Sequence, residues 1–171
     1  GKSTLLNALT GAEVLVADQL FATLDPTTRR VEMPGGRAAL FTDTVGFIQK
    51  LPTTLVAAFQ ATLEEIAEAD ILLHVVDITH PNALEQAEAV EQTLAELEVS
   101  DIPIVTALNK IDRLPDFDSH DNPLAAYPNT IGISATKRFG LGALLERVQQ
   151  VLYESLTPID VRVPYKDGQL I

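Results

Sequence analysis

Short apolar runs alternate with longer amphipathic segments along this chain, and that alternation constrains the fold more than any other feature. The runs DILLHVVD at 70–77 and IPIVTAL at 102–108 are apolar almost throughout, which is typical of strands covered on both faces. A shorter run, NTIGISA, follows at 129–135. Strands of this kind separated by helices predict an α/β fold, with a mostly parallel sheet and helices on both faces.

Four segments have the apolar spacing of helices. The first follows GKST, with Leu5, Leu6 and Leu9 at helical spacing, and meets a natural stop at Gly11. The others span about 54–69, 82–97 and 141–156. Between the first two helices, the turn sequence PGG at 34–36 separates two extended runs, and it predicts a hairpin that forms an antiparallel edge of the sheet.

Composition excludes several classes of function. The chain has no cysteine, which excludes disulfides and thiolate metal sites. Its net charge of −12 makes it a poor general binder of nucleic acid. The best local basic stretch is Thr28-Arg29-Arg30, for which two arginines on a solvated strand end are the simpler interpretation. No apolar run approaches the about 20 residues of a membrane helix, and His74, inside an apolar run, is interpreted as a core histidine.

The chain opens with GKS, the end of the phosphate-binding pattern G-x-x-x-x-G-K-S/T. Lys2 would reach the β- and γ-phosphates, and the Ser3 hydroxyl would bind Mg²⁺. The backbone N–H groups at the start of the helix, from Gly1 to Thr4, would face the phosphates. This short sequence occurs often by chance, so it predicts little by itself.

The sequence DTVGF at 43–47 follows the apolar run AALFT. The Asp43 carboxylate would hold the water shell of the metal. Gly46 would present a backbone N–H to the terminal phosphate without a side chain in the way. By itself, the sequence is equally compatible with an ordinary turn after a strand.

The sequence NKID at 109–112 is the most informative motif. Asp112 can accept hydrogen bonds from both N1–H and the 2-amino group of guanine, whereas adenine would leave the carboxylate unpaired. Asn109 can serve the N7 side of the base, and the Lys110 stem can cover the ring face. The sequence SAT begins at Ser134, and the backbone N–H of Ala135 could donate to guanine O6. Together these motifs predict a guanine-nucleotide site that binds GTP and GDP.

These motifs resemble those of Ras-like P-loop GTPases, and the wider stretches FATLDPTTRR and DTVGFIQKLPTTLVAAF are similar to the HflX-type ribosome-associated GTPases. The resemblance implies a GTPase domain at 1–156 that lacks its first strand and the start of its P-loop. Residues 157–171 would be a linker and the beginning of a C-terminal domain. Because the loop is cut before Gly1, we expect these residues alone to bind nucleotide weakly and to fold poorly.

The resemblance also implies an activity and a partner. The expected reaction is Mg²⁺-dependent hydrolysis of GTP in the cytoplasm. The expected partner is the ribosome, contacted at its large subunit and split or rescued under stress. The switch threonine that reaches Mg²⁺ would be Thr23, with Thr27 and Thr28 as alternatives.

Phe47 stands where many Ras-like GTPases have the glutamine that orients the attacking water. A phenyl ring cannot do this, so we assign no catalytic residue and predict slow intrinsic hydrolysis, completed by a partner or a rearranged switch. Three alternatives remain open: an Obg-like ribosome-assembly GTPase, a non-hydrolysing guanine-nucleotide switch, and a protein-binding module that keeps the motifs as remnants.

Overall fold

The computed structural model describes residues 1–11, 27–44, 66–96, 99, 101–114 and 123–154. Of the helix predicted at about 54–69, only the last residues belong to these ranges. The predictions for Thr23, Gly46 and Phe47, and for the segment 157–171, lie outside the described residues.

The described elements alternate along the chain as the sequence predicts. In chain order they are α1 (Lys2–Thr10), β1 (Thr27–Glu32), β2 (Ala38–Asp43), β3 (Leu72–Asp77), α2 (Ala83–Glu96), β4 (Ile104–Asn109), β5 (Thr130–Ile133) and α3 (Leu141–Glu154). Short 3-10 turns occupy Ile111–Arg113 and Pro123–Ala126. Gly11 ends α1 with a φ of 67°, the left-handed conformation that glycine adopts most readily at this position.

β1 and β2 form the predicted antiparallel hairpin, in a register that pairs Thr27 with Asp43. The turn is closed by the Met33 N–H, which donates to the Arg37 carbonyl at 2.7 Å. Gly35 and Gly36 have φ values of 85° and 82°, which other residues adopt only under strain. The PGG sequence therefore determines where the chain reverses.

β3, β4 and β5 form a parallel sheet in that order. The hairpin was predicted as an edge of this same sheet, but in the described residues it is a separate two-stranded sheet. α1 contacts both hairpin strands, and Met33, just beyond β1, packs into the same apolar cluster as the parallel strands. The hairpin is thus joined to the domain through side-chain packing.

Two apolar clusters cover the parallel sheet. In β4, Ala107 belongs to the cluster under α1 and α3, whereas Leu108 belongs to the cluster under α2. Successive strand residues point to opposite faces, so helices cover both faces, as predicted. No helix in the described ranges has both the length and the apolar character that a membrane crossing requires.

Candidate nucleotide-binding site

The carboxyl ends of the three parallel strands meet at one edge of the sheet. The register places Asp77 beside Asn109, and Asn109 beside Ile133. The Ile78 N–H donates to the Asn109 carbonyl at 3.3 Å, which extends the pairing past the end of β3. Ligands of open parallel sheets bind at this edge, and both NKID and SAT follow it directly.

Asn109 connects these two motifs. Its side chain is only 4% exposed, and its Oδ1 accepts hydrogen bonds from the backbone N–H of Lys110 at 2.9 Å and of Ala135 at 3.0 Å. Because two N–H donors require an acceptor, the carbonyl end of the amide must face them. The NH₂ end of Asn109 is therefore the end turned towards other partners.

Lys110 reverses the chain after β4. Its φ of 72° is left-handed, and a 3-10 turn follows, in which the Arg113 N–H donates to the Lys110 carbonyl at 3.0 Å. This turn carries Asp112 at an exposed position. The Lys110 ammonium crosses back to the neighbouring strand, where Nζ lies 2.5 Å from Oδ2 of Asp77.

Asp77 is itself held in place. Its Oδ1 accepts hydrogen bonds from the Thr79 backbone N–H at 3.1 Å and from the Thr79 hydroxyl at 2.6 Å. Burial acts to raise the pKa of Asp77, but hydrogen bonds from Lys110 and Thr79 outweigh it and hold that pKa below its ordinary value. The carboxylate therefore stays ionised at neutral pH.

Sequence reasoning did not single out Asp77 or Thr79. A usable signal was present, because Asp77 ends an apolar strand that was itself recognised. Only the parallel register, however, shows that this strand is the direct neighbour of the one ending at Asn109.

The loop after β5 has a defined shape. Ser134 and Phe139 exchange two backbone hydrogen bonds, at 3.0 and 3.1 Å. The buried Ser134 hydroxyl accepts a further bond from the Lys137 N–H at 3.1 Å. Gly140 closes the loop with a φ of 74°, and a Cβ there would lie 2.5 Å from the Gly132 carbonyl oxygen. These contacts together define the conformation of the loop that contains Ala135.

A second group of predicted residues lies where α1 begins. The Gly1 carbonyl accepts the first helical hydrogen bond, from the Leu5 N–H at 3.0 Å. Burial lowers the pKa of Lys2, while the charge of the buried Asp43 acts to raise it. Asp43 therefore lies close enough for its charge to act on Lys2, and Ser3 follows Lys2 in the first turn of α1.

Other predicted residues have different surroundings. Thr27 and Thr28 lie in β1, where the Thr28 hydroxyl hydrogen-bonds the Thr42 hydroxyl at 2.9 Å across the hairpin. Arg30 is exposed and Arg29 half-buried. His74 is half-buried in β3, and burial lowers its pKa. The described part of the chain contains no group of three or more His, Cys, Asp or Glu residues that could hold a metal.

Comparison with known families identifies the class of protein. A sequence profile of the family described as "50S ribosome-binding GTPase" matches residues 1–110. The chain therefore belongs to this family of GTPases. The match includes the GKS, DTVGF and NK sequences at the ends of the elements described above.

Curated relatives narrow the class further. The chain is 47% identical to GTPase HflX of Caldanaerobacter subterraneus subsp. tengcongensis, over 97% of this chain and 37% of that protein. It is 42% identical to GTPase HflX of Escherichia coli K12, over 99% of this chain and 40% of that protein. The resemblance to HflX-type GTPases is confirmed, and the chain spans about two fifths of the length of these relatives.

Solved structures confirm the Ras-like α/β fold. A GTP-binding protein of Sulfolobus solfataricus in complex with GDP has a TM-score of 0.72 and 30% identity, over 90% of this chain and 49% of that one. Era has a TM-score of 0.70 at 24% identity, over 98% of this chain and 56% of that one. The likeness to Era concerns the fold alone.

Proposed function

We propose that this chain is the guanine-nucleotide-binding domain of a GTPase that acts on the ribosome. The observation that carries the proposal is the pair of hydrogen bonds accepted by Asn109 Oδ1, from Lys110 and Ala135. The second bond joins residues that lie 26 positions apart, so the two motifs meet at the carboxyl edge of the sheet. Each motif contributes groups that complement a different edge of guanine.

The base would be read by four residues. With its Oδ1 turned towards the backbone, Asn109 would donate from its NH₂ group to guanine N7. The exposed Asp112 carboxylate would accept from N1–H and the 2-amino group, and the Lys110 stem would cover the ring. The Ala135 N–H would donate to O6, sharing or exchanging its bond to Asn109, and Ser134 would hold that loop in place.

The phosphates would bind where α1 begins. Gly1, Lys2, Ser3 and Thr4 would surround them, joined by Gly46. The helix N-terminus and the Lys2 ammonium both favour negative charge. The start of α1 thus offers the N–H donors and the positive charge that a triphosphate requires.

Mg²⁺ fits the oxygen donors at this position. It keeps several waters and takes one or two protein ligands together with substrate phosphates. Ser3 would be one such ligand and Thr23, in the GTP state, the other, while Asp43 would complete the metal site by holding the waters of the ion. When bound, the ion would supply charge neutralisation between the phosphates.

Base selectivity tests the proposal directly. Fluorescent GDP and xanthosine diphosphate would be titrated into the intact protein and into Asp112→Asn. We expect the wild type to prefer GDP and the variant to lose GDP affinity and gain relative preference for xanthosine diphosphate, because the amide can donate where the carboxylate could only accept. Asp101→Asn, which changes an exposed aspartate before β4, is the matched control. Equal affinity of the wild type for guanine and adenine nucleotides would contradict the proposal.

Phe47 motivates the second part of the proposal. The isolated protein hydrolyses GTP slowly, and contact with the large ribosomal subunit completes the active site. The reaction takes place in the cytoplasm. Its outcome is the splitting or rescue of stalled ribosomes. The family description supports the large subunit as the partner. Single-turnover hydrolysis by the intact protein, with and without 50S subunits, tests this. Fast turnover without ribosomes would refute the activation, and no turnover under either condition would favour a non-hydrolysing switch.

A further inference from the structure

Asp77 connects Lys110, in the base-reading motif NKID, to Thr79 in the turn after β3. One carboxylate oxygen contacts the Lys110 ammonium at 2.5 Å. The other accepts two hydrogen bonds from Thr79. One oxygen of Asp77 therefore holds Lys110, and the two hydrogen bonds from Thr79 to the other oxygen keep the carboxylate in place.

The contact matters most for the Lys110 side chain, which is long and has many rotamers. A free lysine side chain loses much of its rotamer entropy when it is ordered. If a nucleotide had to order Lys110 on arrival, that cost would come out of the binding free energy. A contact made before binding removes part of this cost, because the ammonium is already held at the end of β3.

The contact follows from the fold. Parallel pairing places Asp77 beside Asn109, and the left-handed conformation of Lys110 turns the chain at the next residue. Thr79 then fixes the carboxylate in the turn after β3. The arrangement therefore requires β3, β4 and their two turns together.

We propose that Asp77 is a positioning residue for the guanine nucleotide, which acts by holding the Lys110 side chain at the carboxyl edge of the sheet before the ligand arrives. This inference rests on the proposed function. Asp77 itself is not expected to touch the nucleotide, so its whole effect passes through Lys110. A residue with a general structural role would affect nucleotide binding even without Lys110, so dependence on Lys110 distinguishes the two roles.

A double-mutant cycle tests this restriction. The dissociation constant for fluorescent GDP would be measured in the intact protein for the wild type, Asp77→Asn, Lys110→Met and the double variant. Asp77→Asn keeps the shape and removes the charge, and we expect it to weaken GDP binding about three- to tenfold, as for a charged contact at a half-exposed site. In the Lys110→Met background, the same change should cost less than about twofold.

Steady-state kinetics provide a second measurement. We expect Asp77→Asn to raise KM for GTP and to leave kcat at saturating GTP unchanged, because the contact acts on binding and not on the γ-phosphate. Asp77→Glu should restore part of the affinity. Asp101→Asn removes the same charge before β4, at the other end of that strand from Asn109, and should change neither parameter.

The possible results are distinguishable. An equal loss of affinity in both lysine backgrounds would assign Asp77 a general structural role and overturn the inference. Unchanged GDP affinity in Asp77→Asn would also overturn it, while wild-type binding of GDP would leave the proposed function intact. If Asp77→Asn does not fold, Thr79→Val removes one donor to the same carboxylate and should give a smaller loss that is also abolished by Lys110→Met. A wild-type protein that binds no guanine nucleotide would refute the proposed function itself.

Discussion

The backbone N–H of Ala135 donates a hydrogen bond to Oδ1 of Asn109 at 3.0 Å, between two residues that are both almost fully buried. The same oxygen also accepts from the Lys110 N–H. One side-chain atom thus satisfies two backbone donors on the loops that follow β4 and β5. These loops cannot move independently while the amide stays in place.

Asn109→Ala should therefore have both a structural and a functional effect. Removing Oδ1 leaves the buried Ala135 N–H without its acceptor, which costs about 1–3 kcal/mol. We expect a lower free energy of unfolding in urea and faster hydrogen exchange of the Ala135 amide, together with loss of GDP binding.

Asn109→Asp is the matched variant. It keeps an acceptor for both N–H groups, loses the NH₂ donors and adds a buried negative charge, and it should still protect the Ala135 amide better than Asn109→Ala does. We expect GDP binding to remain impaired, because guanine N7 then lacks its donor. If the alanine variant left the exchange of that amide unchanged, the structural role assigned to Asn109 would be wrong.

Gly140 and Gly142 form a natural pair of test positions. At Gly140 the φ is 74°, and an added Cβ would meet the Gly132 carbonyl oxygen at 2.5 Å. Gly140→Ala should cost at least about 1 kcal/mol of unfolding free energy and displace the loop that holds Ala135. Gly142, in α3, has open space around it, and Gly142→Ala should stabilise the protein by up to about 1 kcal/mol. Urea denaturation of both variants measures the difference, and equal effects would contradict this interpretation of the loop.

His74 should make stability depend on pH. Burial holds its folded-state pKa below the ordinary value of 6.5. As the pH falls through 6.5, the unfolded chain binds a proton more readily than the folded one, so stability is lost progressively until the pH reaches the folded-state pKa. His74→Gln should flatten the dependence of the unfolding free energy on pH in this window. An unchanged slope in the variant would show that another group is responsible.

Leu144 tests the packing of α3 on the sheet. Its side chain is 0% exposed and lies in the cluster with Val105 and Ile133. Leu144→Ala should lower the unfolding free energy by about 2–5 kcal/mol. Leu40 in β2 is 74% exposed, and Leu40→Ala should change it by less than about 0.5 kcal/mol. Urea denaturation compares the two variants, and similar losses would mean that α3 is not packed as described.

Local patterns were sufficient to predict most of the described fold. The apolar runs became β3 and β4, PGG became the hairpin turn, and the periodic segments became α2 and α3, because each pattern reflects which side of an element is buried. The parallel sheet and the antiparallel hairpin were both predicted, and in the described residues they form two separate sheets. Pairing between sheets depends on contacts between distant residues, and no local pattern records them.

The sequence by itself determined the motifs GKS, DTVGF, NKID and SAT, their order, and the resemblance that the comparisons confirm, and from these it predicted guanine-nucleotide chemistry. Residue type and spacing are enough for this, because guanine and phosphate each require particular donors and acceptors. Only the tertiary structure decided which side chains and backbone groups contact one another. It placed Asn109 against Ala135 and Asp77 against Lys110, because parallel register, not distance along the chain, brings strand ends to one edge.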